Sequence, residues 1–172
     1  RSVERLRNLD NKKIMYVPTK CVWYERYGPF RDVPEQLYNS WQKTIIRNFP
    51  NIILKLHPKK EYSDSEYNSF VSDFNTVKII SDRQFQECLN DADVFIFDYM
   101  STAFAIAAAT SKPIIYFNIG LRNFTPLGLE KIKKRCLWID IDILNPGDLR
   151  DKVMSIKDKE CINEFTDVFS LR

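Results

Sequence analysis

Two short stretches carry residue types that could do chemistry on a phosphate. His57 is the only histidine in the chain. It follows the apolar run Ile52-Ile53-Leu54-Lys55-Leu56 and precedes Pro58, which fixes a turn, with Lys59 and Lys60 next in sequence. An imidazole so placed could hydrogen-bond a diphosphate or neutralise charge developing on a leaving phosphate. The plain alternative is a histidine bonded within its own turn; the neighbouring lysines favour a functional role. The second stretch is Asp98-Tyr99-Met100-Ser101-Thr102, where Val94-Phe95-Ile96-Phe97 gives way to an alanine-rich helix. Helix starts expose unpaired N–H groups and partial positive charge, which suits a phosphate, and Ser101 and Thr102 would add hydroxyl donors. On the local pattern alone, a simple helix cap at Ser101 or Thr102 is the commoner reading.

The elements that must position these groups alternate strand and helix. Strands are predicted at Ile14–Val17, Ile52–Leu56, Val77–Ile80, Val94–Phe97, Pro113–Phe117 and Leu137–Ile141. Val94–Phe97 is almost wholly apolar, as strands buried on both faces are. Asp32 and Glu35 form a capping box for a helix with Leu37, Trp41, Ile45 and Phe49 on one face, stopped by Pro50. Ser63 and Glu66 form a second box, before Tyr67, Phe70, Val71 and Phe74 at helical spacing. Ser81 is expected to cap a helix whose inner face is Phe85, Cys88, Leu89 and Ala92. The stretch Ser101–Ser111 reads as a helix apolar all round, hence buried. Further helices are expected near Pro146–Ser155 and Asp158–Phe169. The segments Thr19–Arg31 and Gly120–Arg135 read as irregular.

Six strand–helix units imply an α/β fold, a doubly wound parallel sheet of about six strands with right-handed crossovers. Ligands of such sheets bind outside the carboxyl ends of the strands. That rule selects Thr19, His57, Lys59, Ser81, Asp98, Tyr99, Ser101, Thr102 and Arg122 as candidate ligand-binding residues. His57 doubles as the candidate catalytic residue.

Composition bounds the function. The 172 residues suit one domain, and a formal charge of +3 argues against a nucleic-acid partner. No apolar run approaches a membrane span, and no signal peptide marks export, so a cytoplasmic location is expected. Cys21, Cys88, Cys136 and Cys161 are scattered and read as reduced thiols. With four glycines, Gly28, Gly120, Gly128 and Gly147, the chain has no GxGxxG, no GxxxxGK[ST] and no GxSxG. A dinucleotide cofactor, a P-loop and a hydrolase triad are therefore not expected. Asp140 and Asp142 form a DxD, yet their alternation with Ile139, Ile141 and Ile143 makes them water-facing strand-edge carboxylates rather than metal ligands. No metal site is expected. A phosphoacceptor receiver is excluded, because Pro18-Thr19 and Asn118-Ile119 stand where its acids and lysine would be.

Lys55-Leu56-His57-Pro58, then Asp98-Tyr99-x-Ser101, then Lys112-Pro113-Ile114-Ile115-Tyr116, together with Pro18-Thr19, resemble the carboxyl-terminal half of CDP-glycerol glycerophosphotransferases. Those enzymes build teichoic-acid-like polymers and share the GT-B fold, as do looser relatives in capsule synthesis. The resemblance spans roughly Lys13 to Trp138. It implies a metal-independent transferase whose CDP- or NDP-linked donor, such as CDP-glycerol or an NDP-sugar, is a substrate, with no cofactor. By that resemblance His57 and Ser101 contact the donor diphosphate, and residues 1–172 form one Rossmann-like domain. The acceptor site and often a catalytic base belong to an amino-terminal domain. The chain opens at Arg1 inside what reads as a helix, Ser2 to Leu9, so a piece of a longer protein is expected. Met100 stands where the family carries another serine, and Ala103–Ala107 holds no carboxylate. A GT-B-like epimerase and a non-catalytic interaction module are the other readings. The aromatic loop with Trp23, Tyr24, Tyr27 and Phe30 could stack a base or pack on another domain. The basic run Lys131, Lys133, Lys134 and Arg135 reads first as a solvated helix face, and second as a peripheral contact with the inner face of the cell membrane.

Overall fold

The computed structural model describes residues 9–19, 33–49, 51–58 and 77–156. Its strands are β1 (Ile14–Val17), β2 (Ile52–Lys55), β3 (Lys78–Ile80), β4 (Val94–Phe97), β5 (Ile114–Asn118) and β6 (Leu137–Asp140). They form one sheet in the order β3-β2-β1-β4-β5-β6, and every adjacent pair is parallel. The chain winds outward from β1 through β2 to β3, then returns to β4 and winds the other way. The winding reverses between β1 and β4, so the crevice at their carboxyl ends is the topological switch point.

Side chains alternate across a strand, and here the alternation builds two cores. Ile14, Tyr16, Ile52, Leu54, Val94, Ile96, Ile115, Phe117, Leu137 and Ile139 face one way. They pack on α1 (Glu35–Asn48), through Tyr38, Trp41 and Ile45, and on α4 (Leu149–Ser155), through Leu149 and Val153. Met15, Val17, Ile53, Phe95, Phe97, Ile114 and Tyr116 face the other way. They meet a 3₁₀ helix (Phe85–Asp91), α2 (Thr102–Ala108) and α3 (Pro126–Arg135). Helices on both faces explain why all four residues of β1, β2 and β4 are buried. The doubly wound sheet is therefore as the residue pattern predicts.

Several local expectations are corrected. The segment Gly120–Arg135 is not irregular throughout: α3 fills its second half, capped by the Thr125 hydroxyl, which accepts from Gly128 N–H, with Pro126 in the first turn. Proline there forfeits no hydrogen bond, since that N–H has no intrahelical partner. Ser81 does not cap the next helix. Gln84 does, with Glu87 closing a capping box over a 3₁₀ rather than an α-helix. Pro34 stands at the cap position of α1 without a side-chain bond; Asp32 lies outside the described residues. The alanine-rich helix is shorter than Ser101–Ser111 and is not buried all round: Phe104, Ala107 and Ala108 are buried, whereas Ala105 and Ala109 face solvent. Alanine is apolar yet small enough to expose at little cost, so an alanine-rich stretch does not by itself mean burial. Leu9 belongs to a 3₁₀ turn, Leu9–Asn11. The expected helices at Ser2–Leu9, Tyr67–Phe74 and Asp158–Phe169 lie, apart from Leu9, outside the described residues, as do Cys21, Cys161, Lys60 and the aromatic loop.

Arg135 is also corrected. Lys131, Lys133 and Lys134 are exposed, but Arg135 is 4% exposed. Its guanidinium donates to the carbonyls of Ala108 (2.8 Å), Ala107 (3.2 Å), Thr110 (2.7 Å) and Lys112 (2.9 Å). These carbonyls lie at and beyond the end of α2, where intrahelical donors run out; that of Ala107 also accepts from the Thr110 N–H and hydroxyl. The last residue of the basic run is thus an internal clamp, so three lysines remain for any contact with an anionic surface. Among the described residues, no helix is long and apolar enough to cross a membrane.

Candidate functional site

The carboxyl ends of β1 and β4 meet at the switch point, and a buried carboxylate lies beneath them. Asp98 directly follows β4 and is 1% exposed. By the alternation of Val94 and Ile96 it faces α1. Its Oδ2 accepts three hydrogen bonds: from the Tyr16 hydroxyl (2.5 Å), the Tyr38 hydroxyl (3.0 Å) and the Trp41 indole N–H (3.0 Å). Tyr38 and Trp41 are three residues apart on α1, so one helix face presents both donors. The Tyr38 oxygen also accepts the Thr19 backbone N–H at 3.1 Å. Asp98 Oδ1 is buried with no hydrogen-bond partner. Burial pushes the Asp98 carboxyl up from 3.8 to about 6, against the three donors, which pull it down. Desolvation and the neighbouring Asp98 charge in turn push the Tyr16 and Tyr38 hydroxyls well above their usual value.

The Asp98 carboxylate, expected as a ligand contact, is enclosed by three aromatic donors rather than presented at the edge. The residues after it rise to the surface. Tyr99, Met100 and Ser101 are half-buried and Thr102 is exposed. Ser101 is the N-cap of α2, its hydroxyl accepting from Phe104 N–H at 3.4 Å. A hydroxyl that accepts in this way keeps its own O–H as a donor, so cap and ligand contact are compatible roles. Ser101→Ala is expected to cost about 0.5–1 kcal/mol of stability through the lost cap, read from urea unfolding.

The flanks are built by other strands. Arg122 donates from Nη1 to the Met100 carbonyl at 3.0 Å, which ties the loop after β5 to the loop after β4. That loop turns at Gly120, whose φ of +77° favours glycine. Gly120 N–H donates to Asn118 Oδ1, and Asn118 Nδ2 donates to Asp140 Oδ1 at 2.7 Å. Asp140 also accepts the Trp138 indole N–H at 2.9 Å, while Asp142 accepts the Leu144 N–H. Both acids are exposed, as the alternation implies. Among the described residues, no group of three or more His, Cys, Asp and Glu is placed to hold a metal.

On the other flank, His57 is exposed two residues past β2. β2 and β4 are separated by β1 alone, so their axes lie about 10 Å apart at ordinary strand spacing. The imidazole and the start of α2 thus share one edge of the sheet. The exit of β2 is held by Leu56 N–H donating to the Ile80 carbonyl and by Lys55. Lys55 is 2% exposed, donates from Nζ to the Leu56 carbonyl, and has its ammonium pKa lowered by burial. Ser81 is half-buried at the end of β3, one strand farther out. Thr19, His57, Tyr99, Ser101, Thr102 and Arg122 all follow the carboxyl ends of β1, β2, β4 and β5, on the edge that holds the switch point; Ser81 follows β3, one strand farther out, and Lys59 lies outside the described residues. Lys112, by contrast, is at the opposite edge. It precedes β5, and its Nζ donates to the carbonyls of Leu89 and Ala92, so the lysine of Lys112-Pro113 braces the sheet.

Sequence reasoning missed Tyr16, Tyr38 and Trp41 as the partners of Asp98. The signal was present in the spacing of Tyr38 and Trp41: aromatic residues with polar tips at i and i+3 on an inward helix face require buried acceptors.

No protein-family model matches the chain, and no curated protein sequence matches it. Among solved structures, the chain is similar to the "Glycotransferase of kitacinnamycin" at 17% identity and a TM-score of 0.50, over 91% of this chain. The chain spans 37% of that structure's length. At this identity the likeness is one of fold alone: a parallel α/β sheet with helices on both faces.

Proposed function

We propose that this chain is the donor-binding domain of a metal-independent GT-B-type transferase. It moves a glycerophosphate or sugar unit from a CDP- or NDP-linked donor onto a surface polymer of the teichoic-acid or capsule type. The observation that carries the reading is that His57, Ser101, Thr102 and Arg122 all follow carboxyl strand ends on one edge of a doubly wound sheet, the edge that holds its switch point. Cationic, imidazole and hydroxyl donors at such an edge fit a diphosphate. The glycosyltransferase-like fold and the Lys55–Pro58 and Asp98–Ser101 stretches support it.

In this account the diphosphate lies across the ends of β1 and β4. Ser101 and the first N–H groups of α2 meet one phosphate. His57 donates a hydrogen bond that stabilises charge on the leaving nucleotide. The polymer acceptor and the base that activates it belong to a second domain. The complete enzyme works in the cytoplasm, peripherally at the inner membrane face where its acceptor grows. Calorimetric titration with CDP, CDP-glycerol and UDP-sugars tests this: one of them should bind, and His57→Ala should weaken it about tenfold, the size of one hydrogen bond to a charged group. A folded sample that takes up none of them would overturn the proposal.

A further inference from the structure

We infer that Asp98 is a positioning residue: a buried carboxylate that locks the backbone exits of β1 and β4 together through α1. The inference rests on the donor-site reading for its ligand, but the linkage itself is visible in the geometry. From β4, Asp98 Oδ2 holds Tyr16 of β1 at 2.5 Å and Tyr38 and Trp41 of α1 at 3.0 Å each. From α1, the Tyr38 hydroxyl donates to Asp98 and accepts the Thr19 N–H at 3.1 Å. Thr19 is the second residue beyond β1 and Ser101 the fourth beyond β4, so the two backbones that flank the switch point are joined by a chain of two hydrogen bonds.

Each member is enclosed. Tyr16 and Tyr38 are 0% exposed, Trp41 and Asp98 1%. Bonds to an ionised acceptor are the strong ones, and in a water-free setting they reinforce one another. Sheet stability alone does not call for this arrangement. The apolar contacts of both cores already hold β1 beside β4 over Ile14–Val17 and Val94–Phe97, and three donors converge on one carboxylate oxygen while the other has none. What the carboxylate adds is a fixed position for Thr19 and for the start of the Tyr99–Ser101 loop, the two segments nearest a ligand.

The test uses the 172-residue chain with three variants, CDP as probe, and residue-resolved amide exchange. In Asp98→Asn the Thr19 amide should exchange at least tenfold faster, while amides within β1 and β4 keep their protection, and CDP should bind at least tenfold more weakly. Tyr38→Phe, which removes only the hydroxyl, should do the same. Trp41→Phe removes a donor without touching the Tyr38–Thr19 link, and should leave Thr19 protected. Unchanged Thr19 exchange in both Asp98→Asn and Tyr38→Phe would overturn the inference, as would a uniform loss of protection across the sheet. If the unaltered chain binds no CDP but Thr19 responds as stated, the linkage holds and the donor reading is what fails.

Discussion

Replacing Arg135 by alanine should lower the stability of the domain by about 3 kcal/mol, more than any surface cation would. Hydrogen bonds made by a charged donor contribute about 1.5–3 kcal/mol, and Arg135 makes four, all to backbone carbonyls. Those carbonyls belong to Ala107 and Ala108 in the last turn of α2 and to Thr110 and Lys112 on the way to β5. Without the guanidinium the carbonyls of Ala108, Thr110 and Lys112 lose this charged donor, while that of Ala107 keeps the Thr110 N–H and hydroxyl, and a buried acceptor left unsatisfied is costly. For a domain of this size the melting temperature should fall by roughly 6–12 °C. Lys133→Ala and Lys134→Ala, at exposed positions on the same helix, should shift it by less than about 2 °C, within the ordinary range for surface substitutions. Thermal unfolding followed by circular dichroism separates the two cases. Equal effects at Arg135 and Lys133 would mean that the clamp does not form.

Asp98 should give the domain a pH dependence opposite to that of most acidic side chains. Its carboxyl is raised to about 6 in the folded state from the 3.8 of an unburied aspartate, because burial opposes the charge. Below the unfolded value both states hold the proton and the folded state keeps its full advantage. As pH rises from about 4 to about 6, the unfolded chain has already lost its proton while the folded one still holds it. Folding stability contributed by this group falls over that window and is gone above it. At 1.36 kcal/mol per pH unit the loss amounts to about 2–3 kcal/mol. Asp98→Asn cannot titrate. The difference in unfolding free energy between the unaltered chain and Asp98→Asn, measured by urea at pH 4 and pH 7, should therefore decline by about 2–3 kcal/mol. A difference that stays flat or grows with pH would show that the carboxyl is not desolvated. The same figures explain how the network coexists with function: at neutral pH Asp98 is ionised, and its charge is what draws Tyr16, Tyr38 and Trp41 onto one oxygen.

How far the molecule could be read from its sequence varied with the size of the contacts involved. The sheet was legible because β4, with four apolar residues in a row, and β1 and β2, nearly so, announce burial on both faces. The helix α1 was legible from Trp41, Ile45 and Phe49 at helical spacing. Helix α3 was not, because its start signal, Thr125-Pro126, is the signal of a turn as well, and its only buried residues are Ile132 and Arg135. The sequence showed a helix here but not its 3₁₀ form, since Phe85, Cys88 and Leu89 suit either period for one turn. The edge residues His57, Ser101 and Arg122 followed from the rule for parallel sheets. The role of Asp98 did not, because its partners are 82, 60 and 57 residues away and only the fold brings them together. Arg135 was misread for the same reason: a cation in a basic run looks solvated until its carbonyl partners, 23 to 28 residues distant, are in place.

The ends of the sheet also differ in what they offer a ligand. At the amino edge, Lys13, Asn51, Ile52, Ile53, Lys78, Asn90 and Asp91 line an open cleft of about 340 Å³. It holds two lysines but sits at the wrong ends of the strands for a ligand of a doubly wound fold, and Asp91, paired with Arg83, adds a negative group. The account places the diphosphate at the other edge. Mapping backbone amide shifts of the labelled chain during titration with a nucleoside diphosphate decides between them. The account predicts shifts at Thr19, His57, Tyr99 to Thr102 and Gly120 to Arg122, with the amino edge silent. Shifts confined to Lys13, Asn51 and Lys78, or none anywhere at millimolar nucleotide, would contradict it.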